Sequence, residues 1–226
     1  MSKVMLCIVG VAIGLSIAIV ACEIRKDNSL KVDRQAAYSI DTIFLNRVSS
    51  YALSGEVISK ESLYRLFEAA RWAPSSYNDQ PWIFIYGIKG TSSWDKLFDV
   101  LVDFNKGWVK NAGALVLIVS RNNFAHDNEY SVTHSFDTGA AWQNMALQAT
   151  LDGLIAHGMA GFDYDKARAT FNIPEGYTVE AMVAIGKPGS AKNIPDMLKE
   201  REEKPSGRKP IEEFVFEGTF AKNKIN

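Results

Sequence analysis

The chain of 226 residues carries a formal net charge of −1 and is 47% hydrophobic, with 11% aromatic residues. This apolar content excludes an intrinsically disordered chain and predicts one domain with a sizeable core. The near balance of 25 basic against 26 acidic residues argues against nucleic acid as a partner, and two cysteines exclude a disulfide-stabilised scaffold.

The N-terminal segment is the most hydrophobic part of the chain. Residues 4–21 contain no charge and no proline, Lys3 precedes them, and a polar run follows at 23–28. This order is typical of a secretory signal. The apolar run ends in the letters IVAC at 19–22, which resembles a bacterial lipobox with Cys22 as the lipidated residue.

We therefore predict a signal or membrane-anchor segment at residues 1–21, a polar tether at 22–36 and a folded domain at 37–226. The predicted product is a bacterial lipoprotein, extracytoplasmic and anchored at the periplasmic face of a membrane. Two alternatives remain open. One is an uncleaved membrane helix, since the apolar run approaches the roughly 20 residues that span a bilayer. The other is a signal peptide that is cleaved without lipidation.

Helices and strands follow one another through the predicted domain. We predict a first helix over 37–47 and a second after the N-cap Ser59, with an apolar face, that ends before Pro74. The longest helix is predicted over 132–152, and its apolar residues on several faces indicate a buried central helix. Asp163 is the predicted N-cap of a later helix. Strands are predicted at 82–86, 114–120, 154–159, 178–185 and 214–216. This mixture predicts an α+β domain with large helices on a modest sheet.

Several common catalytic motifs are absent from the sequence. His126, His134 and His157 are too widely spaced to form a metal site on one element, so no metal is predicted. The sequence also lacks a G-x-S-x-G nucleophile elbow, a P-loop and a G-x-G-x-x-G fingerprint. Side chains alone therefore offer little nucleophilic or acid–base chemistry.

One segment carries a dense motif, because residues 71–82 read RWAPSSYNDQPW after Ala70. It resembles the A-R-x-A-P-S-x-x-N-x-Q-P-W signature of the nitroreductase family of FMN-dependent oxidoreductases. The resemblance covers about residues 37–218, and it is the joint order and spacing of the motifs that makes it specific. Further matching segments are RVSSY at 47–51, DTGAA at 137–141, NMALQA at 144–149, GFD at 161–163, AIGKP at 184–188 and RKPI at 208–211.

The resemblance implies a nitroreductase-like fold, with a mixed or antiparallel sheet flanked by helices. It also implies a homodimer, in which the long central helix lies at the interface and two FMN sites are formed between the subunits. The implied chemistry takes place on FMN, so no catalytic side chain is predicted.

For the FMN phosphate, the resemblance implies Arg47, Ser49 and Arg208 as ligands. Guanidinium forks and a hydroxyl suit a phosphate dianion. The sequence departs from the family at Tyr51, which stands where the R-x-S-x-R/K element has a second cation. The candidate replacements are Lys204 and Lys209.

For the flavin ring, the resemblance implies an irregular loop and a glycine turn. Asn78 can both donate to and accept from the pyrimidine edge of the ring. Ala160 and Gly161 would offer backbone N–H groups near flavin N5, because a glycine allows close approach of the backbone. The implied loop residues are Pro74, Ser75, Ser76 and Asn78.

The implied activity is hydride transfer from NADPH or NADH to FMN N5, and then to an electron-poor small molecule. Nitroaromatics, quinones and free flavins are the acceptors typical of the family, and a single pocket used in turn predicts ping-pong kinetics. An exported domain, however, would face a compartment where NAD(P)H is not expected. Two alternatives are therefore an exported flavoprotein reduced by a membrane partner, and a non-catalytic flavin-binding lipoprotein.

Overall fold

The computed structural model describes residues 34–204 and 206–220. The predicted signal or anchor segment, Cys22 and most of the predicted tether lie outside the described residues. Among the described helices, none combines the length and the hydrophobicity that a bilayer span requires.

Seven α-helices and four β-strands occur in the described part of the chain. They are α1 Thr42–Asn46, α2 Lys60–Arg71, β1 Trp82–Ile88, α3 Ser92–Asp99, α4 Asp103–Val109, β2 Ala114–Arg121, α5 His134–Leu151, β3 Ile155–Met159, α6 Tyr164–Thr170, β4 Tyr177–Gly186 and α7 Asp196–Glu203. Short 3-10 turns lie at Ser76–Asn78, Ala191–Asn193 and Ile211–Glu213.

The four strands form one sheet in the order β1-β2-β4-β3, and every neighbouring pair is antiparallel. β2 lies in the interior of the sheet and is buried from Ala114 to Ser120, as its unbroken apolar sequence predicted. The α+β class predicted from the sequence is confirmed, with helices packed on both faces of the sheet.

Side chains of β2 alternate between two cores, as the two-residue period of a strand requires. Leu115 and Leu117 join the core that contains Trp108 of α4. Val116 joins the opposite core, which contains Met145 of α5. The sheet therefore separates α3 and α4 from α2 and α5.

The predicted helix caps at Ser59 and Asp163 are confirmed. The Ser59 side chain accepts a hydrogen bond from the Ser62 N–H, and Asp163 accepts one from the Lys166 N–H. Each cap lies directly before the first residue of its helix. There a short polar side chain satisfies a backbone donor that the first helical turn leaves free.

The long helix α5 is confirmed in extent, and it is followed by Gly153 in a left-handed conformation at φ +69°. Its expected burial on several faces is only partly correct. Ala141 and Met145 are fully buried, whereas Phe136 is 79% exposed. One face of α5 packs on α2 and the sheet, and Phe136 lies on a face that the same chain leaves open.

Two sequence predictions near the chain ends differ from the structure. The first helix covers only Thr42–Asn46, because Asp41 accepts a hydrogen bond from the Ile43 N–H and caps it there. The strand predicted at 214–216 is wrong. The N–H groups of Phe214 and Val215 both donate to the Ile211 carbonyl, so this backbone is turned on itself and forms no strand pairing.

Candidate functional site

A cavity of about 610 Å³ lies between the segment that follows α1, the middle of α5 and the end of β3. Four residues predicted from the sequence line it together: Arg47, Ser49, Ala160 and Arg208. Its volume is within the range of small-molecule sites. The remaining lining residues are mostly apolar and comprise Phe44, Trp142, Gln143, Ala146, Gly158, Met159 and Ala181.

Arg47 lines this cavity, and Arg34, which lines a neighbouring cavity, is connected to it through the backbone. Arg47 donates from Nη1 to Ser49 Oγ at 3.2 Å. Arg34, which sequence reasoning missed, donates from Nη1 to the carbonyl of Arg47 at 2.9 Å and to that of Leu45 at 3.1 Å. Its other terminal nitrogen donates to Ser206 Oγ at 2.9 Å.

We call Arg34, Arg47 and Arg208 the arginine cluster. Arg208 donates to the Gly207 carbonyl at 2.8 Å and to Ser206 Oγ at 3.3 Å, so Arg34 and Arg208 share one hydroxyl. Within the described residues, no carboxylate forms an ion pair with any of the three guanidinium groups. The cluster therefore holds three positive charges near one another with no paired acid.

The closeness of these positive charges lowers the pKa of Arg47 and of Arg34. Burial lowers the pKa of Arg47, and the positive charges of Arg208 and Arg34 lower it further. Burial and then the charge of Arg208 likewise lower the pKa of Arg34. An anion bound among the three groups would offset both effects, because an opposite charge favours the charged form.

One donor of the cluster also lacks an acceptor. Arg34 Nε is buried and has no hydrogen-bond partner among the described residues. Buried donors are normally paired, since leaving one unpaired costs about 1–3 kcal/mol. Guanidinium donors and the Ser49 hydroxyl are the donor set that phosphate oxygens accept from, so the residues present fit a phosphate group.

The two lysines that the sequence offered as replacements for the cation absent at Tyr51 are paired elsewhere. Lys204 Nζ lies 2.6 Å from Glu200 Oε1, and Lys209 Nζ lies 3.8 Å from Glu213 Oε2. Arg34 contributes a positive charge that is not paired in this way. It lies at the end of the predicted tether, so no local motif pointed to it.

Tyr51 takes part in an aromatic group beside the cluster. Its ring packs edge-on against Trp108 at 5.2 Å and against His157 at 4.7 Å between centroids. Its backbone N–H donates to Glu202 Oε2 at 2.8 Å, which ties α7 to the segment after Arg47. A second cavity, of about 830 Å³, lies here; Arg34 lines it, and it shares Arg47 and Ser49 with the first.

His157 is the buried titratable group closest to this region. Its Nδ1 lies 3.1 Å from the Ser50 carbonyl oxygen, and its ring lies 4.5 Å from that of Trp108. Burial lowers the pKa of His157, and the positive charge of Arg47 adds to that effect, whereas Ser50 and Glu202 oppose it. Burial therefore favours the neutral form of His157 in the folded protein.

The loop residues predicted from the sequence lie elsewhere in the same chain. We call residues 74–78 the PSSYN loop; none of them lines the cavity of the arginine cluster. Tyr77 and Asn78 adopt positive φ angles of 53° and 56°, and both side chains are exposed, Tyr77 by 81%. The structure thus brings together the predicted phosphate ligands and Ala160, but not the loop residues.

Two carboxylates hold the PSSYN loop in its strained conformation, and sequence reasoning missed both. Asp137, only 3% exposed, accepts from the Ser76 N–H at 3.0 Å and from Thr133 Oγ1 at 3.1 Å. The sequence signal that could have identified Asp137 was its position in the DTGAA segment, which matches the family.

The second carboxylate is Asp79, which lies 2.7 Å from Arg121 and accepts from the Ala125 N–H at 2.8 Å. Burial alone would raise the pKa of Asp79, but the hydrogen bonds from Ala125 and Arg121 together lower it. Here every charge named has a partner inside the chain, in contrast to the arginine cluster.

Gly161 is required by packing next to the cavity. Its carbonyl accepts from Asn105 Nδ2 at 2.9 Å and from the Val102 N–H at 3.2 Å. A Cβ at this position would lie 2.5 Å from Asn105 Nδ2. Because Asn105 is buried and also accepts from Trp108 Nε1, a side chain at Gly161 would displace a paired amide.

Comparisons with known proteins agree with this architecture. The sequence profile of the nitroreductase family matches residues 45–99 and 89–187. A crystal structure of an oxidoreductase containing FMN is 42% identical, with a TM-score of 0.81 over 85% of this chain and 98% of that chain. A nitroreductase family protein from Clostridium difficile shares the fold, with 24% identity and a TM-score of 0.62 over 81% of this chain and 100% of that chain. A 15.4 kDa protein of Mycolicibacterium smegmatis is 31% identical over 137 residues, which are 59% of this chain and 91% of that protein.

Proposed function

This chain belongs to the nitroreductase family, and we propose that it is an FMN-dependent oxidoreductase whose arginine cluster holds the FMN phosphate. One observation carries the proposal: three guanidinium groups without a paired carboxylate among the described residues lie together, and two of them, Arg47 and Arg208, line a cavity with several apolar side chains in its wall. A phosphate dianion suits the first feature and a flavin ring suits the second.

The residues of the chain would bind and orient the cofactor. Arg47 and Arg208 would each offer a bidentate fork to phosphate oxygens, and Ser49 would add a hydroxyl. Trp142 and Met159 line the apolar wall, where a planar ring would be shielded from water. Bound FMN would supply hydride transfer between NADH or NADPH and an electron-poor acceptor, such as a nitroaromatic, a quinone or a free flavin.

A homodimer is part of this proposal. The PSSYN loop does not reach the cavity of its own chain, so the same loop of a partner subunit is proposed to complete the site. Exposed apolar side chains support an interface along α5, because Val132 is 82% exposed just before that helix and Phe136 is 79% exposed within it.

We also propose membrane attachment through Cys22. The source of electrons for the flavin depends on this attachment. In an extracytoplasmic lipoprotein, NAD(P)H would be scarce, and a membrane partner would have to supply the electrons. The same site would then belong to an exported flavoprotein, or to a non-catalytic flavin-binding lipoprotein.

Anaerobic reduction of the full-length protein tests these functions. The protein is purified in detergent, reconstituted with FMN, and titrated with NADH or NADPH while the visible flavin absorbance is followed. We expect bleaching by at least one nucleotide, and reoxidation by an added quinone. Bound FMN that stays oxidised would favour the partner-reduced or non-catalytic function. A protein that cannot be reconstituted with FMN contradicts all three.

A further inference from the structure

We propose that Arg34 is the third cation of the phosphate site, and that it joins the two segments that carry Arg47 and Arg208. The inference rests on the proposed function and adds a residue outside the motifs that pointed to it. Arg34 lies at the end of the predicted tether, so the base of the tether would be part of the cofactor site.

The hydrogen bonds of Arg34 show how it connects the two segments. One terminal nitrogen donates to the carbonyls of Leu45 and Arg47, and the other donates to Ser206 Oγ, which also accepts from Arg208. Arg34 and Ser206 are 172 positions apart in the sequence. Among the described residues, no other hydrogen bond links Ser206 to the segment that carries Arg47.

The charge of Arg34 is not explained by this bridging alone. Carbonyl and hydroxyl oxygens also accept from neutral donors, so a neutral amide could make such contacts. A third guanidinium beside Arg47 and Arg208 is electrostatically unfavourable, and it lowers the pKa of Arg47. The buried Nε of Arg34 also has no acceptor. An anion at the cluster would supply the missing negative charge.

A comparison of flavins with and without a phosphate distinguishes a phosphate-binding role of Arg34 from a purely structural role. The full-length protein carrying Arg34→Gln or Arg34→Lys is titrated with FMN and with riboflavin, which lacks the phosphate, and flavin fluorescence reports binding. We expect Arg34→Gln to weaken FMN binding by about tenfold or more and riboflavin binding by less than about twofold. Arg34→Lys, which keeps the charge, is expected to recover part of the loss.

Arg65→Gln is the matched control, because it also removes a positive charge, but one that pairs with Asp152 and lines neither cavity. It should leave the ratio of FMN to riboflavin affinity within about twofold of the wild type. An equal loss of FMN and riboflavin binding in Arg34→Gln, without recovery in Arg34→Lys, would reduce Arg34 to a structural bridge. Unchanged FMN affinity in Arg34→Gln would also overturn the proposal.

Failure of the proposed function gives a different result. In that case the wild-type protein binds neither flavin, whatever residue occupies position 34. Thermal stabilisation by inorganic phosphate then tests the cluster on its own. Stabilisation of the wild type that is lost in Arg34→Gln and kept in Arg65→Gln supports an anion site that includes Arg34. Equal stabilisation of all three proteins, or none of the wild type, contradicts it.

Discussion

The arginine cluster and the PSSYN loop differ in whether their charged groups have partners within the chain. In the cluster, Arg34, Arg47 and Arg208 crowd together without a paired carboxylate. Around the loop, Asp137 and Asp79 are each engaged by donors of the same chain. The cluster is thus electrostatically incomplete, whereas the supports of the loop are complete.

We interpret this difference as a division between residues proposed to bind a ligand and residues that hold the PSSYN loop in its conformation. Charges left unpaired are unfavourable for folding but become favourable when an anion arrives. Paired and buried charges stabilise a backbone conformation, here one with positive φ at Tyr77 and Asn78. Substitutions in the cluster should therefore change ligand affinity, and substitutions under the loop should change stability.

The largest expected effect is on the loop. Asp137→Ala removes the acceptor of the Ser76 N–H and of Thr133 Oγ1, and we expect it to lower the free energy of unfolding by about 3 kcal/mol. Urea denaturation measures this change. Asp137→Asn, which keeps one acceptor oxygen, should lose less. A loss below about 0.5 kcal/mol in Asp137→Ala would contradict a supporting role for Asp137, since changes of that size are usual for surface residues without specific contacts.

The next effect is on the cluster. Arg208→Ala should weaken FMN binding by roughly 1.5–3 kcal/mol, the contribution of a hydrogen bond to a charged group. The free energy of unfolding without flavin should stay the same or rise, because the hydrogen bonds of this side chain to described residues reach only Ser206 and Gly207, and its charge repels Arg47.

The matched control for this charge removal is Arg65→Ala, which removes an arginine that pairs with Asp152 away from the cavity. Isothermal titration calorimetry on both variants gives the affinities. Unchanged FMN affinity in Arg208→Ala, or an equal loss in Arg65→Ala, would show that the cluster does not bind the phosphate.

The smallest effect concerns pH. Burial lowers the pKa of His157 below its ordinary 6.5, so the unfolded chain binds the proton more tightly than the folded chain. Stability is therefore lost as the pH falls below about 6.5, by at most about 1.4 kcal/mol per pH unit. The pKa of Asp79 is lowered from 3.8, and the loop should lose its support only below that pH.

Denaturation at a series of pH values resolves these two windows. His157→Gln should flatten the stability profile just below pH 6.5, because one titrating group is then missing. Asp79→Asn should leave that window unchanged. A wild-type profile that is flat through this window, or one that Asp79→Asn flattens, would mean that the acid response does not arise beside the arginine cluster.

Local signals in the sequence predicted much of the fold. Ser59 and Asp163 marked helix starts because an N-cap needs only the residues beside it. The apolar run of β2 likewise predicted a buried strand. The strand expected at 214–216 failed, because its aromatic and β-branched residues fit a strand while the backbone bonds locally to Ile211.

The site was predictable where it lies in motifs and not where it depends on distant contacts. Arg47, Ser49, Ala160 and Arg208 were named from motifs and line one cavity. Arg34 was missed, because its place beside Ser206 depends on a contact across 172 positions. The supporting role of Asp137 was missed for the same reason, since its partner Ser76 lies 61 positions away.

The relative affinity of the wild-type protein for FMN and riboflavin tests the central claim most directly. If the arginine cluster holds the phosphate, FMN should bind at least about 100-fold more tightly than riboflavin, from two or more charged hydrogen bonds. The difference should shrink as salt screens the exposed Arg208. Equal affinities for the two flavins at low salt would contradict the account.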